Sequence, residues 1–177
     1  MRTTEQHTTL EREFVEDFAD RYAQAWDSRD PDRIAAGCTE DVVWTDPSLH
    51  EPLHGRDGVR RFATETFRMC PDFKVVVTDA PYISATRPHV LLPYRMSGTA
   101  TGPWVFLDMA PTGRRFEIEG IDSWEMRDGL IARYATFFDG LDMSRQLGVL
   151  PPEGSRGDRA ITRLQHVQAR FQRRFGG

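Results

Sequence analysis

The hydrophobic period along the chain changes twice. Leu10, Phe14, Phe18, Tyr22 and Ala25/Trp26 fall three or four apart, which predicts an amphipathic helix from about Thr9 to Trp26, opened by a capping box of Thr8 and Glu11. Asp30 followed by Pro31 predicts a short second helix to about Cys38, with the aspartate as N-cap and the proline in the first turn. Val59, Phe62, Ala63 and Phe67 predict a third between Gly58 and Met69, ended before Pro71. From there the period falls to two. Phe73 to Ser84, His89 to Ser97, Thr101 to Met109, Arg115 to Met126 and Leu130 to Phe138 read as five strands, divided by ATRP, SGTA, APTG and RDG turns. A further strand lies earlier, in DVVWTDP, stopped by Pro47 and followed by a loop over residues 47–57. Helices first and a strand meander afterwards predict an α+β fold, its sheet curled around the helices.

Beyond Phe138 a short helical turn ends at glycine and prolines. Helical spacing then returns from Arg159 to Phe175, with Ile161, Leu164, Val167 and Phe171 on one stripe and Arg163, Arg170, Arg173 and Arg174 off it. The expected division is one domain over residues 1–150 and a Pro/Gly linker with an Arg-rich helix over 151–177.

Against this pattern three polar residues stand on apolar faces. In FEIEGIDSWEM, alternation puts Phe116, Ile118, Gly120, Asp122, Trp124 and Met126 on one side of a strand, so an acid occupies a core position. A carboxylate there is paired, protonated or functional, because an isolated buried charge is too costly to keep. Asp46 follows Val42 and Trp44 on one face of the earlier strand, and Tyr22 lies on the apolar stripe of the first helix. Each has an ordinary structural reading: a satisfied buried hydroxyl, a turn-shaping Asp-Pro, an aspartate paired with a nearby arginine such as Arg95 or Arg133. Trp44, Trp104 and Trp124, with His50 and His54 in the loop after Asp46, are expected to line a pocket for an apolar ligand, with Tyr94, Phe106 and Phe137 as further candidate aromatics for its floor and core packing as the default for at least half of these aromatics.

Composition narrows the function class without naming it. The chain has 177 residues, 39% hydrophobic and 28% charged, with net charge −4, which gives no reason to expect nucleic acid or an anionic membrane as partner. The N-terminus lacks the apolar stretch of a signal peptide, and no run is long enough to span a bilayer, so a cytoplasmic protein is expected. Cys38 and Cys70 have neither disulfide-framework nor metal-ligand spacing. The string His50-Glu51-Pro52-Leu53-His54 spells a zinc-protease motif, yet Pro52 denies it the helix that would bring both histidines to one face. No metal and no cofactor are expected.

The order of elements, with the pieces RYAQAWDSRDPDRI, DVVWTDP, APTGR and GIDSWEMRDGLIARYATFFDGLDMSRQLG, resembles the nuclear transport factor 2-like superfamily over roughly Thr9 to Gly148. That superfamily includes ketosteroid isomerases, SnoaL-like polyketide cyclases, limonene-epoxide hydrolases and scytalone dehydratase, and the terminal QLG looks like the SnoaL-like branch. The resemblance implies a cone-shaped (cystatin-like) α+β fold with a curved mixed or antiparallel sheet, and a homodimer. It implies that Tyr22 matches the oxyanion-hole tyrosine of ketosteroid isomerases, Asp46 their general base, and Asp122 their protonated oxyanion-hole aspartate. Asp122 also looks like the acid/base aspartate of SnoaL-like cyclases. An epoxide hydrolase would need a further acid where this chain has Thr136. The implied activity is a cofactor-independent isomerase or cyclase, acting on a hydrophobic steroid- or polyketide-like carbonyl compound by proton abstraction and enolate stabilisation. The alternative is a non-catalytic small-molecule binding or interaction module of the same fold. In the first reading Asp46, beside His50 and His54, stays ionised, while Asp122 is neutral and donates rather than accepts.

Overall fold

The structure, a computed structural model, describes residues 10–175. Helix α1 (Arg12–Asp27) buries Phe18, Tyr22, Ala25 and Trp26 of the predicted stripe together with Val15 and Ala19, while Phe14 is half-buried and Leu10 lies before the helix. Its N-cap is Glu11, which makes no side-chain cap; Thr8 of the expected capping box lies outside the described residues. Asp30 caps α2 (Pro31–Ala36) by accepting from the N–H groups of Asp32 and Arg33 at 2.9 and 3.3 Å. Strand β1 (Cys38–Thr45) and the two-residue β2 (Leu53–His54) precede α3 (Gly55–Met69). The remaining strands are β3 (Lys74–Val77), β4 (Tyr82–Ile83), β5 (His89–Thr99), β6 (Arg115–Arg127) and β7 (Leu130–Phe138), followed by α4 (Gly140–Gln146) and α5 (Arg156–Phe175).

All seven strands form one sheet in the order β2-β1-β7-β6-β5-β3, with β4 pairing β5 beside β3. Only β1 against β7 is parallel, so the α+β expectation holds with a mixed sheet. The core lies between the inner sheet face and the helices, where Val42, Trp44, Val90, Leu92, Trp124 and Ile131 are essentially inaccessible to solvent.

Two predicted strands are corrected. The stretch Phe73 to Ser84 is not one strand but β3 and β4, separated by the Asp79-Ala80-Pro81 break, where Pro81 has no N–H for a ladder. Thr101 to Met109 is a loop held by a single bridge, Trp104 N–H to Met109 O (2.9 Å) and the return bond (3.0 Å). Its start is tied to the end of α3, because the N–H groups of Thr101 and Gly102 both donate to Met69 O. A Cβ at position 102 would lie 2.1 Å from Arg68 O, so only glycine fits. Alternation alone cannot register that anchoring. Strand β2, inside the expected loop, forms because Leu53 and His54 pair with Trp44 and Val43.

Candidate active site

The site is built on one row of the sheet. Thr136 of β7 pairs with Asp122 of β6, which pairs with Leu92 of β5. On the other side of β7, Thr45 is level with Ala135, so Asp46, one residue beyond β1, falls level with Thr136. Two strand spacings place the Cα atoms of Asp46 and Asp122 about 10 Å apart, with Thr136 between them. Both carboxyl groups and Tyr22 line one cavity of about 520 Å3 under the helices.

Asp122 is 3% exposed. The Tyr134 hydroxyl donates to its Oδ1 at 2.7 Å, and the hydroxyls of Thr136 and Tyr22 lie close enough to favour its charged form. Burial pushes the Asp122 carboxyl up to about 7, those hydroxyls pull it back, and the charge of Asp46 adds the smallest contribution. Arg95 and Arg133 do not reach it. They point from the outer sheet face to Glu119 (2.8 Å) and Glu125 (3.6 Å), so Asp122 is not half of an ion pair with either. It accepts at Oδ1, contrary to a purely donating role; in its neutral form the other oxygen carries the proton and can donate.

The hydroxyls are held in turn. Tyr134 stacks on Trp44 with ring centroids 3.6 Å apart and planes at 11°. Tyr22 meets the Trp124 ring edge-on at 4.9 Å. The Tyr94 hydroxyl bonds to Thr136 Oγ1 at 2.6 Å across the strand that carries Gly120. A Cβ on Gly120 would lie 2.5 Å from that hydroxyl, so the glycine inside β6 is what lets Tyr94 reach Thr136. Desolvation raises the pKa of Tyr22, Tyr94 and Tyr134, the first and last well above the ordinary value, so all three remain hydrogen-bond donors.

Asp46 has different support. It is 9% exposed, and burial raises its pKa, but the Ser48 hydroxyl (2.6 Å) and N–H (2.7 Å) both donate to Oδ1 and favour the charge. Among the described residues nothing hydrogen-bonds Oδ2. His50 and His54 are exposed and do not line the cavity, so the support for the Asp46 charge comes from Ser48 and not from these histidines. Trp104 lines the cavity, whereas Trp44 and Trp124 are fully buried behind it, one under Tyr134 and the other against Tyr22. The structure thus brings together Tyr22, Asp46, Asp122 and Trp104 and leaves the other four outside the lining. It adds Ser48, Tyr134 and Thr136, and of the further aromatics it places Tyr94 in the lining but not Phe106 or Phe137. Tyr134 and Thr136 carry the same signal as Asp122, polar groups on alternate positions of a core-facing strand. Among the described residues, no group of three or more His, Cys, Asp or Glu side chains could hold a metal ion.

Solved structures share this fold. TsrD from Streptomyces laurentii is 24% identical, with 80% of this chain and 99% of that one aligned at a TM-score of 0.67. A proposed SnoaL-like polyketide cyclase from Jannaschia is 17% identical over 86% of this chain and 100% of its own, also at 0.67. IdmH from Streptomyces antibioticus, a proposed polyketide cyclase, is 26% identical over 75% and 96%, at 0.58. No curated protein matches the chain in sequence. Residues 19–134 match the SnoaL-like domain, and the chain therefore belongs to the SnoaL-like family of the nuclear transport factor 2-like fold.

Proposed function

We propose that the cavity is the active site of a cofactor-independent isomerase or cyclase that acts on an apolar carbonyl compound through an enolate. The observation that carries this reading is the row of Asp46, Thr136 and Asp122 on the floor of one apolar cavity, with the two acids in contrasting surroundings. Asp46 Oδ2 takes a proton from the carbon next to the carbonyl, while Ser48 holds Oδ1. As charge gathers on the carbonyl oxygen, neutral Asp122 and the Tyr22 hydroxyl donate to it inside a water-poor site, where such bonds are strongest. Asp122 titrates near 7, so it can also hand its proton to the oxygen and recover it, as an intramolecular aldol closure requires.

Hydrogen–deuterium exchange into 2-tetralone, followed by NMR, tests this. Asp46→Asn is expected to slow exchange by roughly 10²- to 10⁴-fold and Asp122→Ala by roughly 10²- to 10³-fold. Undiminished exchange in both variants would sink the proposal. The homodimer expected from the resemblance has a matching surface in the outer sheet face, where Ile121 and Phe137 pair side by side and stand 42% and 63% exposed. Sedimentation of Phe137→Glu as a monomer, and of the unaltered chain as a dimer, is the expected result. As for membranes, no helix among the described residues is long and apolar enough to cross one.

A further inference from the structure

The cavity lining is unusual in its charge. The chain carries 23 Lys and Arg residues, yet among the described residues none of them and no histidine lines the cavity, whereas Asp46 and Asp108 bring carboxylates to it and Asp122 a carboxyl group held neutral by burial. Arg61 sits near one wall but lies over the Phe106 ring, 5.1 Å from its centroid, and is not in the lining. The walls are aromatic, with Trp26, Phe62, Tyr94 and Trp104 among them. Aromatic faces and carboxylates both present negative potential, so the interior repels an anion and attracts a cation.

The third acid has no structural task. Asp108 lies in the rim loop between β5 and β6, exposed, in a left-handed conformation (φ 50°), and forms no hydrogen bond or ion pair among the described residues. Asp46 and Asp122 are committed to Ser48 and to the hydroxyl network on the floor. The carboxylate at the mouth is therefore free to meet a charged group of a ligand whose apolar body fills the cavity.

Resting on the reading of this cavity as the substrate site, we propose that its carbonyl substrate bears a basic nitrogen, bound as the ammonium with Asp108 as its partner at the rim. Selection of a cationic apolar compound over neutral and anionic ones then rests on Asp108 at the rim and on the aromatic walls, with Asp46 adding to the same potential from the floor. A volume of about 520 Å3 accommodates a body of two or three fused rings.

Three probes on one ring skeleton test this by equilibrium titration of tryptophan fluorescence with the full chain: 2-aminotetralin as the cation, 2-tetralone as the neutral compound and tetralin-2-carboxylate as the anion. The amine is expected to bind roughly five- to tenfold tighter than the ketone, and the carboxylate weaker than the ketone by a similar factor. Asp108→Asn, which keeps a residue tolerant of positive φ, is expected to cut the amine's lead at least about threefold and leave ketone affinity unchanged. A carboxylate that binds as tightly as the amine, a lead that survives Asp108→Asn, or no binding of any probe at millimolar concentration would each overturn the proposal. These affinities do not depend on turnover. Loss of deuterium exchange with the amine preference intact removes the enolate chemistry alone, and the reverse pattern removes the substrate class alone.

Discussion

Asp46 and Asp122 share a cavity floor and differ in almost everything that sets their chemistry. Asp46 sits just past a strand end, where the chain turns at Pro47 and the backbone N–H and hydroxyl of Ser48 fold back onto one carboxylate oxygen. Asp122 sits in mid-strand, its backbone committed to β5 and β7, and receives only side-chain hydroxyls. A strand end offers a carboxylate backbone N–H donors that favour its charge; a strand interior offers none, because the ladder uses them. Under the proposed enolate chemistry, placement in the sheet, more than residue type, therefore decides which acid serves as base and which as proton donor.

The largest effect that would sharpen this contrast is on stability. In the folded chain burial holds the Asp122 carboxyl near 7, against about 3.9 in an unfolded chain. Between those values the folded state binds more protons, so this group's contribution favours folding most below about pH 4, declines as pH rises towards 7, and then levels off. Across that window the loss attributable to this group is on the order of 4 kcal/mol. Urea unfolding from pH 4 to 8 is expected to show that decline in the unaltered chain and a much flatter profile in Asp122→Asn. Parallel profiles would mean that Asp122 is not held neutral.

The contrast also explains what the sequence could and could not disclose. Asp122 was visible because β6 is long and regular, and one acid among Phe116, Ile118 and Trp124 breaks its alternation. Asp46 and Tyr22 were visible for the same reason, as polar residues on otherwise apolar faces. Tyr94 and Thr136 carried that signal too, but their meeting depends on the register that places Gly120 beside Tyr94, a long-range fact. The histidines after Asp46 misled because a loop's direction is not encoded in its composition: the Pro47–Ser48 turn sends that segment to solvent and to the edge of β1. The rim loop misled because Trp104 to Met109 alternates like a strand while Gly102 pins its start to α3.

A smaller effect separates the two acids through their supports. Gly120→Ala places a methyl group 2.5 Å from the Tyr94 hydroxyl and 2.9 Å from Phe137 O. Overpacking of this kind is expected to cost about 1–3 kcal/mol and to detach Tyr94 from Thr136, disturbing the Asp122 side of the row and leaving the Ser48–Asp46 turn intact. Thermal unfolding together with the phenolic proton signals of the tyrosines checks it. An unchanged Tyr94 resonance would show that the glycine is not what positions this hydroxyl.

The smallest expected effect on stability is the most discriminating one for chemistry. Ser48→Ala removes one of two donors to Asp46 Oδ1 and leaves the backbone N–H bond in place, at a cost of about 1 kcal/mol. With the charged form less well supported, burial raises the Asp46 pKa further. A base must be ionised to act, so the acidic limb of the pH–rate profile moves to higher pH. The alkaline limb, set by the need for neutral Asp122, stays where it is, because Asp46 contributes least to the titration of Asp122. If both limbs moved together, the two carboxyl groups would be titrating as one coupled pair, and the separate roles drawn from their surroundings would fail.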